Sequence, residues 1–142
     1  MEPSLPQLVA VYAIPVILAI TLHEAAHAFV AARLGDRTAQ QLGRMTLNPL
    51  RHIDPIGTLL VPALILLASK AMGGALLFGW ARPVPIVQSN LCSPRRDMGI
   101  VAAAGPGANI AMALGWGVLF KLLLAGGIDS AVAFEMARAG VL

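Results

Sequence analysis

His23, Glu24 and His27 stand in the run Thr21-Leu22-His23-Glu24-Ala25-Ala26-His27-Ala28, inside a segment from Leu8 to Leu34 that is otherwise almost wholly apolar. An ionisable group near the middle of a spanning helix costs about 2.5–3.5 kcal/mol on insertion scales, so a Glu between two His at that depth needs a function. On a helix, His23 and His27 lie one turn apart on one face and can reach a single tetrahedral Zn²⁺. Glu24, about 100° round the helix, lies beside a water on the metal's open position. Neutral imidazoles suit the borderline-soft ion, and Zn²⁺ lowers the pKa of its water to about 7. Glu24 can take that water's proton as it attacks a peptide carbonyl and return it to the leaving amine. The bland alternative, two His and a Glu that only hydrogen-bond across a helix bundle, leaves charge at membrane depth without chemistry.

The elements that must position these groups follow from composition. With 58% hydrophobic and 12% charged residues and a mean hydropathy of +0.78, the chain falls outside the usual soluble range. A bilayer core takes about 20 helical residues per crossing, so the length supports an all-α polytopic membrane protein in one domain, residues 1–142. Apolar segments at about 8–34, 55–78 and 97–125 are expected as three transmembrane or re-entrant helices, with a further short helix from 129 to 142. Arg33, Arg37, Arg44 and Arg51 fall in one loop and Arg82, Arg95 and Arg96 in another, which predicts cytoplasm-facing loops of a multi-pass inner or plasma membrane protein. The net charge of +3 comes without basic runs interleaved with aromatics, which excludes a nucleic-acid partner. Cys92 is alone and has no nearby His to activate it. The apolar run after Gln7 continues into the motif-bearing helix, so it reads as a membrane span and not as a cleavable signal peptide.

His23-Glu24-Ala25-Ala26-His27 in the first apolar segment, followed by Gly105-Pro106-Gly107-Ala108-Asn109 in a later one, resembles the site-2 proteases, intramembrane zinc metalloproteases. The stretches from Leu47 to Thr58 and from Gly79 to Pro85 are similar to a compact bacterial branch of that family, and the likeness covers roughly residues 8–125. It implies one zinc per chain on His23 and His27, Glu24 as the catalytic acid and base, and a transmembrane segment of another protein as substrate. It also implies a third ligand, an Asp in an Asp-Gly pair. No Asp-Gly pair occurs in the 142 residues, so the chain as given is expected to stop before the helix that bears it.

Other residues are candidates for lesser roles. Asp54, before Pro55, fits a helix N-cap, and His52 a loop hydrogen bond; both are also candidates for a third ligand or a group behind the ligands. The 55–78 segment, interrupted by Pro62, Lys70 and Gly73-Gly74, either crosses once or turns back as a hairpin, and the two basic loops favour the hairpin. From Trp80 to Val87, prolines 83 and 85 disable one edge of an extended segment and leave Val84 and Ile86 on the other, as in an edge strand or small β-hairpin that could hold an unwound substrate. A rigid proline-containing loop is the alternative. Ala103, Gly107, Ala111 and Gly115 recur every fourth residue as a small-residue packing face, and Gly105-Pro106 predicts a local break. Asn109 offers an amide at membrane depth, for substrate or for an interhelical hydrogen bond. Glu135 and Arg138 suggest a surface pair.

The reading is an intramembrane zinc endopeptidase that acts on membrane-protein substrates in the lipid bilayer, with the oligomeric state open. Its rivals are a truncated or non-catalytic protein of the same fold that binds transmembrane partners, and a small transporter or channel component using His23, Glu24 and His27 as a proton or metal path.

Overall fold

A computed structural model describes residues 4–71, 82–127 and 131–141. Helix α1 runs Leu5–Arg33. Pro6 sits in its first turn, where a missing N–H leaves no bond unmade, and the Gln7 side chain accepts from the Ser4 N–H at 2.9 Å. The helix continues through Pro15 and stops at Gly35, whose φ of +115° disfavours any side chain. A Cβ there would also press on the Asn90 carbonyl at 2.8 Å, because the chain from Asn90 to Cys92 passes directly over the turn.

A four-residue helix, α2 (Thr38–Gln41), and a 3₁₀ turn at Pro49–Arg51 lead to Asp54, whose carboxylate accepts from the N–H groups of Ile56 and Gly57, both at 2.9 Å. This is the expected N-cap, and it opens a π-helical turn at Pro55–Leu60 that passes into α3 (Val61–Ala71). α4 (Pro94–Ala125) begins after a 3₁₀ turn at Gln88–Asn90. The buried Asp97 side chain accepts from the Ser93 N–H at 2.8 Å and closes its first turn. α5 (Ala131–Val141) packs across both α1 and α4, with Phe120 and Phe134 edge to face at 5.7 Å and Gly140 against the Trp116 indole. Glu135 and Arg138 form the expected exposed pair at 3.6 Å.

α1 and α4 are the central pair, and they run antiparallel: His27 meets Val101 while His23 meets Asn109. A small core of Ala31, Leu91 and Val101, flanked by Val30, Leu34, Ile86 and Met98, closes one end of their contact. Their outer faces are open. Ile110, Leu114, Val118 and Leu122 repeat every four residues on α4 and are each more than half exposed. A soluble core helix would bury such a row, and an apolar face of this length is suited to lipid.

The structure bears on four of the sequence-based expectations. Among the described residues two helices, from Ala10 to Arg33 and from Pro94 to Ala125, are long and apolar enough to cross a bilayer, and Pro55–Ile65 is a shorter apolar helix whose expected segment runs on into residues outside the described ones. The 55–78 segment is helical only to Ala71 among the described residues, and α3 packs against neither α1 nor α4. Residues 72–78, on which the choice between crossing and hairpin depends, lie outside the described residues, as do Trp80 and Ala81. No strand forms among the described residues; the N–H groups of Arg82, Val84 and Val87 go to the His52 carbonyl and to the Glu24 and Asp36 carboxylates. α4 does not break at Gly105-Pro106, and the Ala103–Gly107–Ala111–Gly115 row faces outward, with nothing within 4 Å of a Cβ on Gly107 or Gly115. The face of α4 that meets α1 is the neighbouring row, Val101, Gly105 and Asn109.

Candidate active site

The ring centroids of His23 and His27 are 4.7 Å apart, edge to face, one turn apart on α1. What aims them is α4. Val101, Gly105 and Asn109 are spaced i, i+4, i+8, so they form one row down that helix. The His27 Nδ1 lies 2.7 Å from the Val101 carbonyl. A carbonyl can only accept, so Nδ1 carries the hydrogen and a neutral His27 ring keeps its lone pair on Nε2.

His23 is held the same way by a side chain. Its Nδ1 lies 3.1 Å from the Asn109 amide. With Nδ2 turned toward the ring, the Asn109 Oδ1 is buried without a partner among the described residues. Amide nitrogen and oxygen are assigned from the surrounding bonds, and in the reversed orientation Oδ1 accepts from the His23 Nδ1–H while Nδ2 takes the buried position. That orientation frees the lone pair of His23 Nε2 as well.

Both Nε2 atoms lie close to the same point. A Cβ added to Gly105 would collide with Nε2 of His23 and Nε2 of His27 together, so both lie over the bare Cα of Gly105. Two neutral imidazole nitrogens aimed at one point, each braced through its far nitrogen, suit two positions of a tetrahedral zinc site. Glu24, the residue between them, accepts the Val84 N–H on Oε2 at 3.1 Å. A cavity of about 220 Å³ reaches His23, Glu24 and Asn109 past Ala19 and Ile20. A second of about 370 Å³ continues from Ala19 and Asn109 to Pro15, Met112 and Ala139.

No group of three His, Cys, Asp or Glu side chains converges among the described residues. Asp54 is occupied as the helix cap described above. His52 is fully buried, with Nε2 2.8 Å from the Thr46 carbonyl and Nδ1 without a partner among the described residues. The structure does not gather either residue with the His23–His27 pair. Val84 presents its N–H to Glu24, and Ile86 packs on the Ala31–Leu91–Val101 core. Asn109, a candidate for substrate, bonds to His23.

Three contributors escaped the sequence reading: Gly105 as the cradle, the Val101 carbonyl, and Arg44, whose Nη2 donates to the Arg82 carbonyl at 2.7 Å. Burial first, then the charge of Arg82, lower the Arg44 guanidinium from its usual value, and the Glu24 carboxylate raises it, which puts Arg44 within electrostatic reach of the site. The i, i+4, i+8 row on α4 was the available signal, since it is the only row there that carries both Gly105 and Asn109.

No protein-family model matches the chain, and no solved structure matches it significantly. The chain is similar to "Putative zinc metalloprotease YwhC" of Bacillus subtilis, 41% identical over 122 residues, which are 86% of this chain and 50% of that protein. It is similar to "Putative zinc metalloprotease Rip2" of Mycolicibacterium smegmatis and of Mycobacterium tuberculosis, 36% identical over 98 residues, 69% of this chain and 35% of each of those proteins. The chain thus spans about half the length of the first relative and about a third of the others. With these identities across most of its length, and two apolar helices fit to cross a bilayer, this chain is a membrane protein related to the zinc metalloproteases of the site-2 protease family.

Proposed function

We propose that the chain carries the two-histidine part of the zinc centre and the catalytic carboxylate of an intramembrane metalloendopeptidase, one that cleaves transmembrane segments of other membrane proteins. The observation that carries the reading is the convergence of the His23 and His27 Nε2 atoms over Gly105. His23 and His27 would hold Zn²⁺, which supplies Lewis acidity and brings the pKa of a water to about 7. Glu24, with one oxygen fixed by Val84 and the carboxylate bordering the 220 Å³ cavity, accepts a proton there and hands it to the departing amine nitrogen. The Val101 carbonyl holds His27 in the ligating tautomer, and Asn109 fixes the His23 ring through Nδ1.

A helical substrate shields its scissile carbonyl in a hydrogen bond, so it must unwind locally before it is cut. The two cavities share Ala19 and Asn109, and the larger, lined mainly by apolar side chains from Pro15 to Met112, offers such a segment a route toward the one that Glu24 borders. The basic loops at 33–51 and 82–96 favour a cytoplasm-facing site in a multi-pass protein of the inner or plasma membrane. The test is cleavage of a reporter transmembrane segment by the full-length, zinc-loaded protein in liposomes. Activity abolished by Glu24→Gln and by chelation is the expected result, and unchanged cleavage by Glu24→Gln contradicts the reading.

One observation favours a second reading, a protein of the same fold that binds transmembrane partners without cutting them: only two metal-ligating imidazoles converge among the described residues. It expects partner capture that survives Glu24→Gln and His23→Ala alike.

A further inference from the structure

From Pro83 to Pro85 the backbone has a single N–H, that of Val84, because proline has none. That one donor reaches Oε2 of Glu24 at 3.1 Å. The segment around it is tied down at both ends. The Arg82 N–H donates to the His52 carbonyl at 3.0 Å, and the Val87 N–H donates to Oδ2 of Asp36 at 2.7 Å. Arg44 Nη2 donates to the carbonyls of Arg82 at 2.7 Å and Pro83 at 3.4 Å. The two prolines fix their own φ and restrict Arg82 and Val84 before them to extended backbone, so the segment has little freedom to lose.

We infer that Arg82–Val87 is a strap that orients the Glu24 carboxylate, with the Val84 N–H as its contact and Arg44 as the positioning residue that holds the strap in place; the inference rests on the protease reading of this site. A Glu side chain has three rotatable bonds, and a fixed donor on one oxygen selects one rotamer while leaving the other oxygen to handle a proton. The cavity that reaches His23, Glu24 and Asn109 is lined by no described residue of 82–87, so the strap does not wall it off. The alternation of prolines, which suggested a strand edge for substrate, serves here to leave one N–H and to aim it.

Two measurements on the full-length protein test this. Amide hydrogen exchange in detergent isolates Val84 cleanly because both neighbours lack an amide proton. Protection in the wild type, lost at least tenfold in Glu24→Ala and largely retained in Glu24→Gln, is expected; Val84 exchange indifferent to Glu24→Ala overturns the strap whether or not the protein is a protease. The second readout is zinc-dependent hydrolysis of a quenched-fluorescent peptide of one transmembrane length containing a Gly-Pro helix break. Val84→Pro, which removes the donor, is expected to lower kcat about 10²-fold with KM within about threefold and zinc content preserved, the scale of a misplaced catalytic group. Val84→Ala keeps the donor and loses at least tenfold less than Val84→Pro. Arg44→Ala falls in the same direction and Arg44→Lys recovers part of the loss. A rise in rate on removing the donor means a plug and overturns the inference. Absence of cleavage by every form, wild type included, counts against the protease reading alone and leaves the exchange result to decide the strap.

Discussion

Gly105 and Gly107 are two residues apart on the same helix and have opposite surroundings. A methyl on Gly105 collides with both imidazole Nε2 atoms; a methyl on Gly107 meets nothing within 4 Å. The difference separates the two faces of α4. One face uses the smallest side chain to let the Nε2 atoms of His23 and His27 approach the backbone, with an accepting carbonyl and an amide one turn to either side. The other offers small and large apolar groups outward, where lipid asks only that they be apolar. Small residues therefore mark a site on one face and carry no contact on the other.

The strongest way to break this contrast is to exchange the two positions. Gly105→Ala is expected to abolish zinc binding, read as metal content after gel filtration, because neither His23 nor His27 can keep its Nε2 where it is. Gly107→Ala is expected to keep full metal content and gain up to about 1 kcal/mol of helix stability, visible as a slightly raised melting temperature. Equal metal loss in both would dissolve the distinction between the faces.

Asn109→Leu sharpens it by keeping volume while removing the amide. A partner behind a ligating His is worth about 10–100-fold in metal affinity, and competition with a chelator should show a loss on that scale. His27, braced by a backbone carbonyl, has no equivalent side chain to delete.

A smaller effect comes from the loop under the strap. Burial alone would raise the Asp36 carboxyl, but hydrogen bonds from the Thr38 hydroxyl and N–H, the Val87 N–H and the Asn90 amide outweigh it and hold Asp36 below the ordinary value of 3.8. A carboxylate depressed in the folded state contributes stability that is fully present above the unfolded value and is lost as pH falls through the folded one. Thermal melts in detergent should show that loss below about pH 4 in the wild type, and Asp36→Asn should be less stable at neutral pH with a flatter acid dependence. A wild-type acid profile matching that of Asp36→Asn would contradict the assignment.

The sequence made the side-by-side placement of His23 and His27 legible because residues four apart on a helix share a face, and the Asp54 cap and the Glu135–Arg138 pair were legible because they are local. The packing phase of α4 was not. Rows 101–105–109 and 103–107–111–115 both contain small residues, and in a membrane the protein-facing and lipid-facing sides of a helix are equally apolar, so hydrophobicity cannot choose between them. The supposed strand failed for a different reason. Alternating prolines do specify extended backbone, but a strand also needs a partner ladder, and here the N–H groups of Arg82, Val84 and Val87 go to a loop carbonyl and two carboxylates. Long-range partners of that kind, 30 to 60 residues away in the chain, leave no local mark.

The most direct test of the account is X-ray absorption at the zinc edge on the full-length, metal-loaded protein. Two imidazole nitrogens at about 2.0–2.1 Å, reduced to one in His23→Ala and in His27→Ala, are what the convergence over Gly105 predicts. Zinc bound with no imidazole ligand, or with a ligand shell unchanged by either substitution, would contradict it.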